Sequence, residues 1–218
     1  MSTLSPEGVH SFLEVARETP YYSLFHTALY TGMRRGELLA LRWKDVDLDK
    51  ATLSVVRSIY RGSGGDFTVR EPKTQRSRRL IALSPSLVMV LRDHQAERRA
   101  RSILIGKTIP ELIFSHLDGS PLDPSTVSHA FGKVIKKARV PSVRFHDLRH
   151  THATLMMKQG INPKVVSERL GHSTVAMTLD LYSHVVPGLQ EQAALRFDEG
   201  LQREVGALGT ENGAGGFG

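Results

Sequence analysis

Residues 144–184 concentrate the side chains that could do chemistry. The runs R-F-H-D-L-R-H-T-H-A-T, L-G-H-S and T-L-D-L-Y-S-H supply His146, Arg149, His150, His152, His172, Tyr182 and His184. Apolar residues recur between them at helical intervals, so donors and cations are held on a packed frame. An arginine and two imidazoles can fix a phosphate by hydrogen bonds and neutralise charge that builds on its oxygens. A tyrosine hydroxyl can act as a covalent nucleophile. Taken alone, the stretch specifies a phosphate-directed site and no more.

The elements that must position these residues read as mainly helical. Ser5-Pro6-Glu7 is a helix start, and Val9, Phe12, Leu13 and Ala16 carry the helical spacing to about residue 18. A second apolar helix over 21–30 is interrupted by Thr31-Gly32, and helix resumes over 33–41 with Arg34, Arg35 and Glu37. With Leu38, Leu39 and Leu41 buried, one arginine can be directed into a cleft while the other stays in solvent. The period then changes: 52–56, 67–74 and 77–83 read as three short antiparallel strands that lie against the helices by one face. Lys73 falls at a strand end, where a long cation can swing toward a ligand.

Ser84-Pro85 opens a long helix that runs into R-D-H-Q-A-E-R-R-A-R, a solvated face that could also touch a nucleic-acid backbone. Asp123-Pro124 caps a helix through Val127, Phe131, Val134 and Ile135 to Ala138. The helix over 146–158, the Gly160 turn and the short helix over 164–170 have a helix-turn-helix outline. Helices over 173–185 and 187–205 follow, the last carrying Leu189, Ala193, Leu195, Phe197 and Leu201. The glycine-rich 206–218 is expected to be a flexible tail. The expected fold class is therefore α+β, helices with a small three-stranded antiparallel sheet, in one domain over 1–205.

The 218 residues suit one large domain, and 40% hydrophobic with 23% charged residues is an ordinary globular composition. A net charge of +7 fits a polyanionic partner or, equally, a surface that sets solubility. Having no cysteine excludes disulfides, thiolate metal sites and cysteine nucleophiles. No apolar run approaches a membrane span, and the N-terminus lacks a signal peptide's apolar core, so no membrane and a cytoplasmic location are expected.

T-G-M-R-R-G-E-L, P-K-T with R-R-L-I-A-L, H-D-L-R-H-T, L-G-H-S and L-Y-S-H, in this order, resemble the catalytic domain of the tyrosine recombinases, or phage integrases. Each motif alone is weak; five in order over nearly the whole chain are specific. Carried over position by position, the resemblance implies Arg34 as the first arginine, Lys73 as the hairpin lysine, and His146 with Arg149 as H-x-x-R. It also implies His172 after L-G and Tyr182 as the nucleophile. Without it, Arg34 reads as a helix-surface ion pair with Glu37, His146 as a cap or core residue, and Tyr182 as packing. Arg76 and Arg78 are lesser candidates for the lysine's role, Arg35 keeps a surface reading, and His150 and His152 read as packing or supporting residues. His146 and His150 at i, i+4 could hold a metal, but no H-E-x-x-H pattern is completed.

The activity the resemblance implies is site-specific DNA strand transfer without metal, nucleotide or other cofactor. Tyr182 attacks a phosphodiester to give a 3'-phosphotyrosine and a free 5'-hydroxyl. Arg34 and Arg149 clamp the non-bridging oxygens, His146 and His172 add hydrogen bonds, and Lys73 protonates the leaving oxygen. Double-stranded DNA is the implied partner, with self-association on it to a tetrameric synapse and a monomer in isolation. Family members usually carry an N-terminal core-binding domain, and this chain begins where the catalytic domain should; weak DNA binding of low specificity is expected of it alone. Rival readings are a type IB topoisomerase and a non-catalytic DNA-binding module.

Overall fold

The computed structural model describes residues 2–62, 67–70, 78–172, 174–185, 194–195 and 197–202, and at 61, 67, 70 and 181–185 the backbone only. Helix α1 (Pro6–Arg17) begins as read, with Ser5 Oγ accepting the Gly8 N–H at 3.1 Å. Helix α2 (Tyr22–Thr31) is buried on nearly every side, and a left-handed Gly32 ends it. Helix α3 is shorter than its pattern, only Arg35–Leu39. The Arg34 backbone is extended, so this arginine precedes the helix and is not on its face.

The strands are β1 (Val46–Asp47), β2 (Thr52–Val55), β3 (Ser58–Arg61), β4 (Phe67–Arg70) and β5 (Arg79–Ala82). A three-stranded antiparallel sheet is present, but its order is β1-β2-β5; β3 and β4 form a separate hairpin. The expected sheet over 52–56, 67–74 and 77–83 is thus two units: 58–61, whose sequence carries no clear alternation, takes 67–70 as its partner, and 79–82 pairs directly with 52–55. Long helix α4 (Pro85–Leu104) follows, and its basic run is not a uniformly solvated face. Arg92 Nη2 donates to Asp49 at 2.7 Å, while Arg98 Nη2 turns inward to Ser115 Oγ and the His116 carbonyl, each at 2.8 Å.

Helices α5 (Pro124–Ala138), α6 (Asp147–Lys158), α7 (Pro163–Leu170) and α8 (Ala176–Val185) follow. Asp123 caps α5 and Asn162 caps α7, each with proline at the first helical position, as the sequence indicates. Helices α6 and α7 share a small core of Ala153, Met157, Val166 and Leu170, which gives the helix-turn-helix outline its rigidity. Of the expected last helix, 197–202 is helical; most of the remainder of 187–205, and all of the tail 206–218, lie outside the described residues.

The main core centres on four aromatic rings. Phe131 of α5 meets Phe12 of α1, Phe25 of α2 and Phe145 at centroid separations of 5.3, 5.6 and 5.5 Å. Burying each such ring stabilises the fold by about 1.5–3 kcal/mol before entropy is counted. Phe145 matters for position: it is locked in this cluster, and the next residue, His146, starts α6. Among the described residues no helix is long and apolar enough to cross a membrane.

Candidate active site

Four of the six expected site residues have described side chains: Arg34, His146, Arg149 and His172. They come from the α2–α3 junction, the start of α6, its first turn and the residue after α7. Helix α6 packs on α2, and α7 packs on α6, so these ends meet. The Leu4 N–H also donates to Thr151 Oγ1 at 3.1 Å, tying the start of the chain to α6.

Arg149 is buried, only 5% exposed. Its Nη1 donates to the Gly32 carbonyl at 2.8 Å, whereas its Nη2, also buried, has no hydrogen-bond partner among the described residues. Burial, with the neighbouring charge of Arg34, pushes this guanidinium down to about 9, which leaves it cationic at neutral pH.

Arg34 does pair with Glu37, as the surface reading held, yet that carboxylate is buried and not on the surface. Glu37 Oε2 accepts the Arg34 backbone N–H at 2.9 Å, closing the start of α3, and Oε1 accepts Arg34 Nη1 at 2.9 Å. Arg34 Nη2 reaches the Gly171 carbonyl at 3.3 Å. The ion pair therefore aims this arginine at the residue that precedes His172. Burial works to raise the Glu37 carboxyl, but hydrogen bonds and charge from Arg79 and Arg34 outweigh it and hold the group below the usual carboxylate range.

His172 Nδ1 is 2.8 Å from Thr178 Oγ1 on α8. Burial, and then the charges of Arg149 and Arg34, push its imidazole down to about 4, so it is neutral at pH 7. Tyr182 lies on α8 one helical turn beyond Thr178; its side chain is outside the described residues, as is the whole of Lys73. His146, at the start of α6, packs edge-on against His150 with ring centroids 5.3 Å apart. Burial, with the nearby His150 and Arg149, lowers its pKa from the ordinary histidine value.

His152 is a packing residue: its Nε2 lies 3.2 Å from Arg169 Nε, and Arg169 also donates to the carbonyls of Ala82 and Tyr30. Arg35 is not a free surface residue. Its guanidinium donates to Ser128 Oγ and to the Pro124 carbonyl, stapling α3 to α5. Sequence reasoning missed Arg79, which shares Glu37 with Arg34. The signal was present in β5, where Arg79 stands two residues before buried Ile81 and therefore faces inward. Among the described residues no three histidines or carboxylates are grouped to hold a metal. The result is two guanidinium groups, Arg34 and Arg79, gripping one buried carboxylate, with the Arg149 guanidinium and the imidazoles of His146 and His172 close enough to feel their charge, an arrangement suited to an anion with several oxygens.

The sequence profile described as "Phage integrase family" matches residues 2–187. A tyrosine recombinase XerC-like protein of Caldanaerobacter subterraneus subsp. tengcongensis is 33% identical over 200 residues, which is 86% of this chain and 51% of that protein. The ICEBs1 integrase of Bacillus subtilis is 31% identical over 198 residues, 89% of this chain and 53% of that one. The chain thus spans about half the length of these curated relatives. Among solved structures, the Tn1549 transposon integrase in complex with transposon right end DNA superposes with a TM-score of 0.77 at 24% identity, covering 90% of this chain and 66% of that one. The XerA recombinase gives 0.68 at 27% identity, covering 90% and 65%.

Proposed function

The chain belongs to the phage integrase family, and from that premise we propose that it cuts and rejoins duplex DNA at specific sites through a covalent phosphotyrosine. The observation that carries the reading is the buried Nη2 of Arg149, which has no hydrogen-bond partner among the described residues, beside the cations Arg34 and Arg79. A buried donor without an acceptor costs stability, and a phosphate oxygen would satisfy it while its charge balances the excess of guanidinium groups. The Tn1549 integrase, similar in fold, is known bound to transposon DNA, which supports the same class of partner here.

In this reading Tyr182 attacks the scissile phosphorus, the P–O5' bond breaks, and a 3'-phosphotyrosine and a 5'-oxygen result. Arg34 and Arg149 hold the non-bridging oxygens with their planar forks. His172 acts as a neutral donor: with Nδ1 accepting from the Thr178 hydroxyl, Nε2 carries the proton it offers to the phosphate. His146, also lowered, can take up the phenol proton. Lys73 supplies the proton for the leaving 5'-oxygen. One diester is exchanged for another, so a 5'-hydroxyl from a second strand can reverse the step and rejoin.

We also infer assembly on DNA from a monomer to a tetramer. The exposed Leu195 and Phe197, 64% and 70% accessible, support a segment that finds its cover elsewhere. A nicked suicide duplex tests the reaction. The protein is expected to form a covalent adduct that Tyr182→Phe abolishes; DNA binding with no adduct would reduce the chain to a binding module.

A further inference from the structure

Arg79 has no place among the phosphate ligands proposed above, yet its side chain is only 5% exposed, as deeply set as Arg149 and far more so than Arg34. It opens β5 on the strand's inner face and joins two separate parts of the pocket. Toward α3, its Nη2 donates to Glu37 Oε2 at 2.9 Å and its Nη1 to Oε1 at 3.3 Å, a two-pronged grip on the carboxylate. Toward α7, its Nε donates to the Arg169 carbonyl at 2.7 Å. That carbonyl belongs to the last turn of α7, where the helix leaves acceptors unsatisfied and favours a cation.

The side chain also lies against Gly171, which ends α7 in the left-handed region at φ 68°. A Cβ at this position would come within 3.0 Å of Arg79 Nη1 and 3.1 Å of Cδ. At this φ glycine is the unstrained residue, and a side chain here would have to push the guanidinium aside by a few tenths of an ångström. The carbonyl of the same residue accepts Arg34 Nη2, and His172 follows directly. Arg79 therefore touches both the carboxylate that aims Arg34 and the turn that carries His172.

We propose that Arg79 is a positioning residue that fixes Arg34 and His172 relative to one another by gripping Glu37 with one edge of its guanidinium and the end of α7 with another. By sharing Glu37 it also keeps that carboxylate from closing wholly onto Arg34. Its own placement at the start of β5, directly after the segment that contains Lys73, ties the beginning of that strand to the same frame. The functional part of this proposal rests on reading Arg34 and His172 as phosphate ligands; the geometric part does not.

The informative variant is Arg79→Lys. It keeps a cation beside Glu37, so the fold survives, but one ammonium cannot form the fork to the carboxylate and the bond to Arg169 together. Two measurements are made on the whole chain. In single-turnover cleavage of a nicked suicide duplex at saturating DNA, the rate of adduct formation is expected to fall about 10- to 100-fold, with DNA affinity within about threefold of the unaltered protein. By 15N NMR, the Arg34 guanidinium, tied to Glu37 and to the Gly171 carbonyl, is expected to show hindered rotation in the unaltered protein and free rotation in the variant. A variant with the original cleavage rate and a still-hindered Arg34 overturns the proposal. So does one in which affinity and rate fall in step with the urea midpoint, since that marks a merely structural residue. If the unaltered protein forms no adduct, the functional reading fails by itself, and the Arg34 signal still decides whether Arg79 holds that side chain in place.

Discussion

Within Arg149 the two terminal nitrogens have different surroundings: Nη1 is spent on the Gly32 carbonyl, and Nη2 is buried without a partner among the described residues. This split explains why lysine cannot replace it. A single ammonium can satisfy the carbonyl or meet a phosphate oxygen, but it lacks the fixed fork that does both. Arg149→Lys is expected to lower single-turnover adduct formation by about 10²- to 10³-fold, the usual range for losing one preorganised donor, while leaving DNA affinity within a few-fold. A rate within threefold of the original would show that Nη2 does not meet the reacting phosphate. Arg34 and Arg149 were readable as candidates because the family motifs that carry them are local in sequence. Glu37 and Arg79 were not, because their importance comes from a bond across 42 positions that no spacing rule announces.

The meeting of α3 with the β3–β4 hairpin depends on the missing side chain of Gly36. A Cβ there would fall 2.5 Å from Ser58 Oγ and 2.6 Å from the Ile59 carbonyl oxygen. The hydroxyl can rotate aside; the backbone oxygen cannot, so an alanine must push the hairpin away from the helix that follows Arg34. Overpacking of this kind costs about 1–3 kcal/mol, and Gly36→Ala is expected to lower the urea midpoint accordingly. An unchanged midpoint would mean that the hairpin yields freely. The helices were readable from their caps and apolar spacing, down to Ser5, Asp123 and Asn162. The sheet was not: the run 67–70 has strand composition, but its pairing with 58–61 and not with 52–55 or 79–82 is a tertiary choice that nothing in a period-two pattern encodes. Likewise α3 fell short of its pattern because the Glu37 carboxylate caps it at Arg34.

Across the whole molecule, burial beside arginines has left several histidines uncharged. Burial and then Arg17 push His26 down to about 4; burial and then Arg169 push His152 to about 3; burial and then Arg149 push His172 to about 4. In an unfolded chain these rings titrate near 6.5. Between pH 6.5 and about 4 the unfolded chain therefore binds protons that the folded protein refuses, and stability must fall as the solution is acidified through that window. Above pH 6.5 neither state carries the protons, so these residues confer no pH dependence there. Glu37, held below the usual carboxylate range, adds a loss that begins only near the lower end of the window. The urea midpoint is thus expected to be level from pH 8 to 7 and to drop steadily toward pH 5. His26→Phe isolates one contributor away from the proposed active site. The ring keeps its stack on Tyr30, now 4.0 Å between centroids, and its edge contact with Tyr22, but it has no proton to bind. The variant should lose close to one proton's worth of slope, at most about 1.4 kcal/mol per pH unit, with cleavage of DNA unchanged. An equal slope in both proteins would show that His26 is charged in the native state and that the buried face of α2 is open to water.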